Sequence, residues 1–263
     1  MFEGRTSVKT EKPLIACRLG SYGDFVDEAW AHLPTIGIRH IEILFPEKGE
    51  RAELNRKLDD HGLQVSSMHC PCDIKKEGIV DELKPQFDFF QEWGTKICFT
   101  SVHAGETPRE IVWDRLREIG DAAAARGITV AMETHPDLVE NAKNSLDTMN
   151  AVSHSNIRVN FDTANIHYFN EGVTALDELE QSAEFVASIH LKDTTGGFHV
   201  HDFPTLGEGV VDYPGVFALM AKRGFTGPFT MELEGRAGLE RGKDAQLEHV
   251  ADSAAYLKSI GVL

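Results

Sequence analysis

Four short runs decide the fold: Thr129-Val-Ala-Met-Glu133, Ile157-Arg-Val-Asn-Phe-Asp162, Val186-Ala-Ser-Ile-His190 and Pro228-Phe-Thr-Met-Glu232. Each is mostly apolar with few interruptions, which is how a parallel strand buried on both faces reads. Each closes on Asp, Glu or His. One strand ending in a carboxylate is ordinary, because loops begin with polar residues. Four that end in hard or borderline metal ligands, at strand-helix-strand intervals, are harder to explain by chance.

Working outward, similar runs begin at Leu14-Ile-Ala-Cys, His40-Ile-Glu-Ile-Leu, Leu63-Gln-Val-Ser-Ser-Met and Lys96-Ile-Cys-Phe-Thr-Ser-Val, making eight strands in all. Between them lie helix-like stretches around 24–35, 50–61, 79–93, 107–126, 144–154, 174–185, 214–223 and 244–259. Gly37, Gly62, Gly94, Gly127 and Gly224 follow helical stretches, where a left-handed residue commonly ends the helix. Eight strand-helix units without a linker predict an α/β protein, a single (β/α)₈ barrel spanning 1–263 as one domain. No GxGxxG follows the first strand and no GxxxxGK[ST] occurs, so nucleotide-phosphate cradles lack support. The longest connection, about 194–213, carries Gly196-Gly197 and Gly207-Glu208-Gly209, and long loops in compact domains are often functional.

The chain has 263 residues, 41% of them hydrophobic, enough to bury a sizeable core. With 26 Lys+Arg against 42 Asp+Glu, a formal charge of −16 argues against a nucleic-acid partner. The opening Met1-Phe-Glu-Gly-Arg-Thr-Ser-Val-Lys9 has no apolar stretch of signal-peptide length and no later run approaches a membrane span. A soluble, cytoplasmic protein without a membrane partner is expected. Cys17, Cys70, Cys72 and Cys98 form no CxxC pair, and buried reduced thiols are expected in preference to a zinc site at His69-Cys70-Pro-Cys72.

In such a barrel the C-terminal strand ends converge on its mouth. Glu133, Asp162, His190 and Glu232 fall on strands five to eight, within reach of one cation. Three carboxylates and an imidazole suit Mn²⁺, Mg²⁺ or Co²⁺, with zinc left open. The competing reading is a set of rim ion pairs with Lys192, Arg158 or Lys222.

The order and spacing of Ser188-Ile-His-Leu-Lys-Asp193, Leu206-Gly-Glu-Gly-Val-Val-Asp212 and Gly224-Phe-Thr-Gly-Pro-Phe-Thr-Met-Glu-Leu-Glu234 resemble the xylose isomerase-like TIM barrels. That family includes sugar isomerases and epimerases, hydroxypyruvate isomerase, inosose dehydratase and the endonuclease IV type. The resemblance implies one divalent ion held by Glu133, Asp162, His190 and Glu232, with Glu133 and Glu232 doubling as catalytic proton-transfer groups on opposite faces of a small carbohydrate substrate. Glu133-Thr-His135 is similar to the family's Glu-x-His element. Glu234 shares strand parity with Glu232 and is the alternative ligand.

The chemistry follows from the residue types. A cation on a carbonyl and its neighbouring hydroxyl acidifies the adjacent C–H, and a carboxylate can remove that proton to leave an enediolate. Return to the opposite face gives an epimer, return to the next carbon an isomer, and loss of a β-hydroxyl a dehydration product. Together with the resemblance, this chemistry implies a metal-dependent isomerase or epimerase acting on a ketose or related polyol, with a dehydratase or lyase acting on a keto-polyol as the alternative and a phosphodiesterase ranked below both. Homo-oligomerisation is left open.

His69, His103 and His135 are expected at strand ends three, four and five as substrate contacts. Lys192, sharing parity with His190, is expected to hold a substrate oxyanion or pair with a ligand carboxylate, with an ordinary surface lysine as the equal alternative. Glu42 faces either the pocket or an interior ion pair, and His199 and His201 either close over substrate or are solvated. Asn165 stands where the endonuclease IV branch and the ketohexose 3-epimerases place a histidine, which speaks against a three-zinc nuclease and against a specific ketohexose 3-epimerase. Asn165 is expected to contact substrate in its place.

Overall fold

A computed structural model of the chain describes residues 12–235 and 241–263. The stretch Met1–Lys9, read above for a leader, lies outside the described residues. Eight parallel strands close on themselves in sequence order: β1 (Leu14–Arg18), β2 (His40–Leu44), β3 (Gln64–His69), β4 (Ile97–Thr100), β5 (Thr129–Glu133), β6 (Ile157–Asp162), β7 (Val186–Leu191) and β8 (Pro228–Met231). The ring is sealed by β1 against β8, with Cys17 opposite Met231. This is a single (β/α)₈ barrel, as the alternation of runs predicted.

Helices cover the strands because each buries one stripe. Arg109–Ala124 turns Val112, Leu116, Ile119, Ala122 and Ala123 inward at helical spacing. Replacing Leu116, fully buried, by Ala is expected to cost about 2–5 kcal/mol. Several helix starts are chemically marked: Asn141, Thr174 and Asp212 each accept the backbone N–H three residues on. The cap at Asn141 places that helix at Ala142–Val152, two residues ahead of the predicted stretch. All five glycines predicted at helix ends have φ between 62° and 87°. A one-turn helix, Asn165–Phe169, was not foreseen. Its side chains border the barrel mouth.

The barrel interior is unusually polar toward that mouth. Glu42, Ser67, Asn160, Ser188 and Thr230 are all buried. Four of them pair, Ser67 Oγ donating to Glu42 at 2.7 Å and Ser188 Oγ to Asn160 at 2.6 Å. Phe99 fills the space among them, its ring 4.7 Å from that of His69 and 4.6 Å from that of His190.

The candidate metal and acid–base site

Register brings the closing residues of four strands together. Asp162 on β6 pairs directly with His190 on β7, while Glu133 ends β5 and Glu232 follows β8, continuing the ladder by donating its N–H to Leu191 O. One ligand atom from each of Glu133, Asp162, His190 and Glu232 lies within 4.8 Å of all the others, and all four residues are buried. Ligands on opposite sides of one ion bound at roughly 2.0–2.6 Å stand about 4–5 Å apart, so the separation fits a single cation. Asp162 Oδ2 is buried with no aligned hydrogen-bond donor. Its other oxygen is fixed by the N–H groups of Ala164 and Asn165, both at 2.8 Å. One oxygen is thus held by backbone and one presented to the cluster.

His190 is oriented from behind. Its Nε2 faces both oxygens of Glu42 at 3.2 and 3.3 Å, and its Nδ1 stands 3.1 Å from Glu133 Oε1 and 3.2 Å from Glu232 Oε2. A carboxylate behind an imidazole fixes the tautomer that leaves the forward nitrogen free to ligate. Glu42 therefore faces the interior as an ion-pair partner of His190. Burial alone would push the His190 pKa down, but Glu42 and Glu133 raise it to about 9 in the protein without a cation. Burial likewise works against the Glu133 carboxylate, and hydrogen bonds from His135 and His190 outweigh it, holding Glu133 well below the usual carboxylate range.

The remaining oxygens of the two glutamates face different partners. Glu133 Oε2 accepts from Ser101 Oγ at 2.7 Å and lies 3.1 Å from His135 Nδ1. Glu232 Oε1 is paired with Arg18, which closes β1. Lys192 is buried inside the cluster, its Nζ 3.1 Å from Asp162 Oδ2 and from Glu232 Oε2 and 3.2 Å from Glu234 Oε2. The rim ion pairs and the four-ligand cluster thus occupy the same place, with Lys192 the rim partner; Arg158 instead donates to the backbone oxygens of His154 and Ile157.

A cavity of about 320 Å³ opens on the cluster, bordered by Arg18, His135, Tyr168, Phe169, His201 and Phe203 together with the two glutamates. The larger hollow, about 1210 Å³, lies at the strand N-terminal ends beside Leu14, Gln64 and Pro228, the face that holds stability rather than chemistry in this fold. His135, Asn165 and Lys192 border the smaller cavity, as does Glu234. His69 and His103 are not among its lining residues. β4 ends at Thr100 rather than running on to Val102, so His103 lies beyond it, exposed, against Pro136 O. Asn165 is buried and donates its amide to Thr134 O at 3.1 Å. His201 borders the cavity, whereas His199 is exposed and stacks on Phe198.

The long loop is held by one side chain. Asp193 accepts from the N–H groups of Thr194, Gly207, Gly209 and Val211 at 2.8–3.3 Å. Gly209 is required there, since a Cβ would stand 2.2 Å from Asp193 Oδ1 and 2.3 Å from Thr194 O. The four cysteines are free, with Cys17, Cys70 and Cys98 buried, and burial lifts the Cys17 and Cys72 thiols to about 12. None of the described helices is long and apolar enough to cross a membrane.

Comparison with known proteins agrees with this architecture. The chain is 23% identical over 220 residues to the inosose dehydratase of Glaesserella parasuis, covering 70% of this chain and 74% of that one. It is 29% identical over 122 residues to an L-ribulose-5-phosphate 3-epimerase of Salmonella paratyphi C, 46% of this chain and 41% of that one. The crystal structure of a xylose isomerase domain protein from Planctomyces limnophilus superposes with a TM-score of 0.75 at 19% identity, over 95% of this chain and 98% of that one. The xylose isomerase-like TIM barrel model matches residues 30–260, and the chain belongs to that family.

Proposed function

We propose that this chain is a divalent-metal-dependent enzyme that moves a proton at a carbon next to a carbonyl in a ketose or related polyol, as an isomerase or epimerase. The observation that carries the reading is the disposition of Glu133 and Glu232. Both touch His190 Nδ1 with one oxygen, and each turns its other oxygen to a different partner. Bound by Glu133, Asp162, His190 and Glu232, a Mn²⁺, Mg²⁺, Co²⁺ or zinc ion supplies Lewis acidity to a carbonyl and its neighbouring hydroxyl.

The chain supplies the rest. Glu133, held ionised, is the base that accepts the carbon-bound proton, with Ser101 keeping its outer oxygen aimed and His135, beside that oxygen, the group through which the proton leaves to solvent. Glu232, at a strand end three positions round the barrel with its outer oxygen held by Arg18, is the second acid–base group, and the proton it returns to carbon is one it has first taken up from solvent. Tyr168, Phe169 and Phe203 wall the cavity and restrict water. His135 and Lys192 are the hydroxyl contacts, with Asn165 shaping the floor. Among the described residues lining the cavity, Arg18 and Lys192 are already paired with Glu232. That pairing favours an uncharged carbohydrate over a phosphorylated one.

The match to an inosose dehydratase along 70% of the chain supports a second reading, loss of a β-hydroxyl from a keto-polyol at the same site. Glu133→Gln and Glu232→Gln separate the outcomes. Each variant is expected to lose net conversion, while the surviving glutamate still exchanges the one proton it reaches, read as solvent-deuterium washout from substrate. A dehydratase would instead lose water-forming turnover in both without substrate washout at a second carbon face. Full conversion in either variant, with metal content retained, would overturn the assignment.

A further inference from the structure

Five carboxylates crowd the barrel mouth: Glu42, Glu133, Asp162, Glu232 and Glu234. Such a group of charges is stable only with compensating cations. Lys192 sits at its centre, 2% exposed. Its Nζ is 3.1 Å from Asp162 Oδ2 and Glu232 Oε2, the two oxygens of those residues that face His190. The same Nζ is 3.2 Å from Glu234 Oε2, on a side chain 44% exposed at the outer edge. A metal ion and the ammonium therefore claim the same two oxygens. Glu234, which does not belong to the four-residue cluster, is the one carboxylate of the three that the ammonium keeps without competing.

We propose that Lys192 is a tethered counter-ion for the metal-free site, displaced from Asp162 and Glu232 when a divalent cation binds, and that Glu234 is the residue that retains its ammonium. This rests on the metal reading of the four-residue cluster and goes beyond it. Lys192 and Glu234 act as positioning residues that set how tightly the site takes its cation. Two consequences follow. In the metal-free protein Lys192 stabilises the fold by neutralising buried carboxylates, and that contribution disappears once the cation is in place. On cation affinity the two residues act oppositely, Lys192 weakening it by competition and Glu234 strengthening it, because a parked ammonium costs less than a displaced one.

The test is a double-mutant cycle on the full chain, with Mn²⁺ affinity measured by calorimetry or by the electron-spin signal of free Mn²⁺ and melting followed with and without Mn²⁺. Lys192→Met is expected to tighten Mn²⁺ binding by about tenfold or more and to lower the melting temperature of the metal-free protein more than that of the loaded one. Glu234→Gln is expected to weaken binding about tenfold in the parent. In the Lys192→Met background the same change is expected to have little effect. Unchanged or weaker binding in Lys192→Met would overturn the proposal. So would an equal loss from Glu234→Gln in both backgrounds, which would make Glu234 an ordinary long-range charge. If Lys192→Met does not fold without metal, Glu234→Gln alone decides, since unchanged Mn²⁺ affinity there contradicts the parking role. A parent protein that binds no Mn²⁺ would instead sink the metal reading itself.

Discussion

Glu42→Gln removes one negative charge behind His190 while keeping shape and one acceptor oxygen. Glu42 is 1% exposed and faces His190 Nε2 at 3.2–3.3 Å, so the interaction is dry and charge-assisted. Ser67 Oγ, donating to Glu42 at 2.7 Å, can turn to the amide oxygen, which limits the packing damage. What is lost is the basicity that a carboxylate lends to a ligating imidazole. Partners of this kind change metal affinity about 10–100-fold, or about 1.4–2.7 kcal/mol. Competition between the protein and a chelator of known Mn²⁺ affinity would measure it, with circular dichroism confirming the fold. A stoichiometry of one ion with affinity weakened in that range is the expected result. Affinity within twofold of the parent would show that Glu42 lends no basicity to a ligating His190.

Gly209→Ala drives a Cβ into Asp193 Oδ1 and Thr194 O, and backbone cannot yield as a side-chain tip can. Destabilisation of about 1–3 kcal/mol or more is expected, lowering the melting temperature by about 2–4 °C for each kcal/mol; an unchanged melt would mean the loop is not clamped on Asp193. Phe99→Ala empties the space between His69 and His190 and is expected to cost about 3–5 kcal/mol in denaturant unfolding. A loss under 1 kcal/mol would show that the lumen relaxes around the gap. In chelator-treated protein, His190 carries a folded-state pKa of about 9 against 6.5 for the free side chain. Its protonation therefore stabilises the fold fully below pH about 6.5, and that contribution is lost as pH rises through about 9. Melts across that window are expected to fall, and to fall less in Glu42→Gln; equal slopes would count against the Glu42–His190 pair.

The strand order, the parallel sheet and the four closing residues were legible because each signal is local. A buried run is apolar, a helix end carries glycine, and a strand end carries the odd polar residue. Arg18 obeys the same rule, but the apolar run stops at Cys17 and gives no sign that the strand carries one residue further. Glu42 was visible inside β2, but its partner His190 is 148 residues away, and only closure of the barrel decides which interior groups meet. The β-prone composition of Ser101 and Val102 predicts a β4 that runs on to His103; Ala104 N–H instead binds Asp137 Oδ1, and the chain leaves the ladder. Asp162 was found as a strand-end carboxylate, whereas its second task, fixing the N–H groups of Ala164 and Asn165, appears only once the one-turn helix is seen. The aromatic wall of Tyr168, Phe169 and Phe203 comes from that helix and the long loop, where no hydrophobic period announces it.

The central claim is that one cation at the barrel mouth and two glutamates exchange a carbon-bound proton. Its most direct test is to load chelator-treated protein with one equivalent of Mn²⁺ and incubate it with a panel of neutral ketoses and keto-polyols in D₂O, reading deuterium at carbon by NMR. Deuterium is expected at a carbon next to the carbonyl only in the loaded protein, and none when Asp162 is replaced by Asn so that the ion is held less tightly. Incorporation that is equally fast in the chelated protein, or net conversion retained in Glu133→Gln or Glu232→Gln, would contradict the claim.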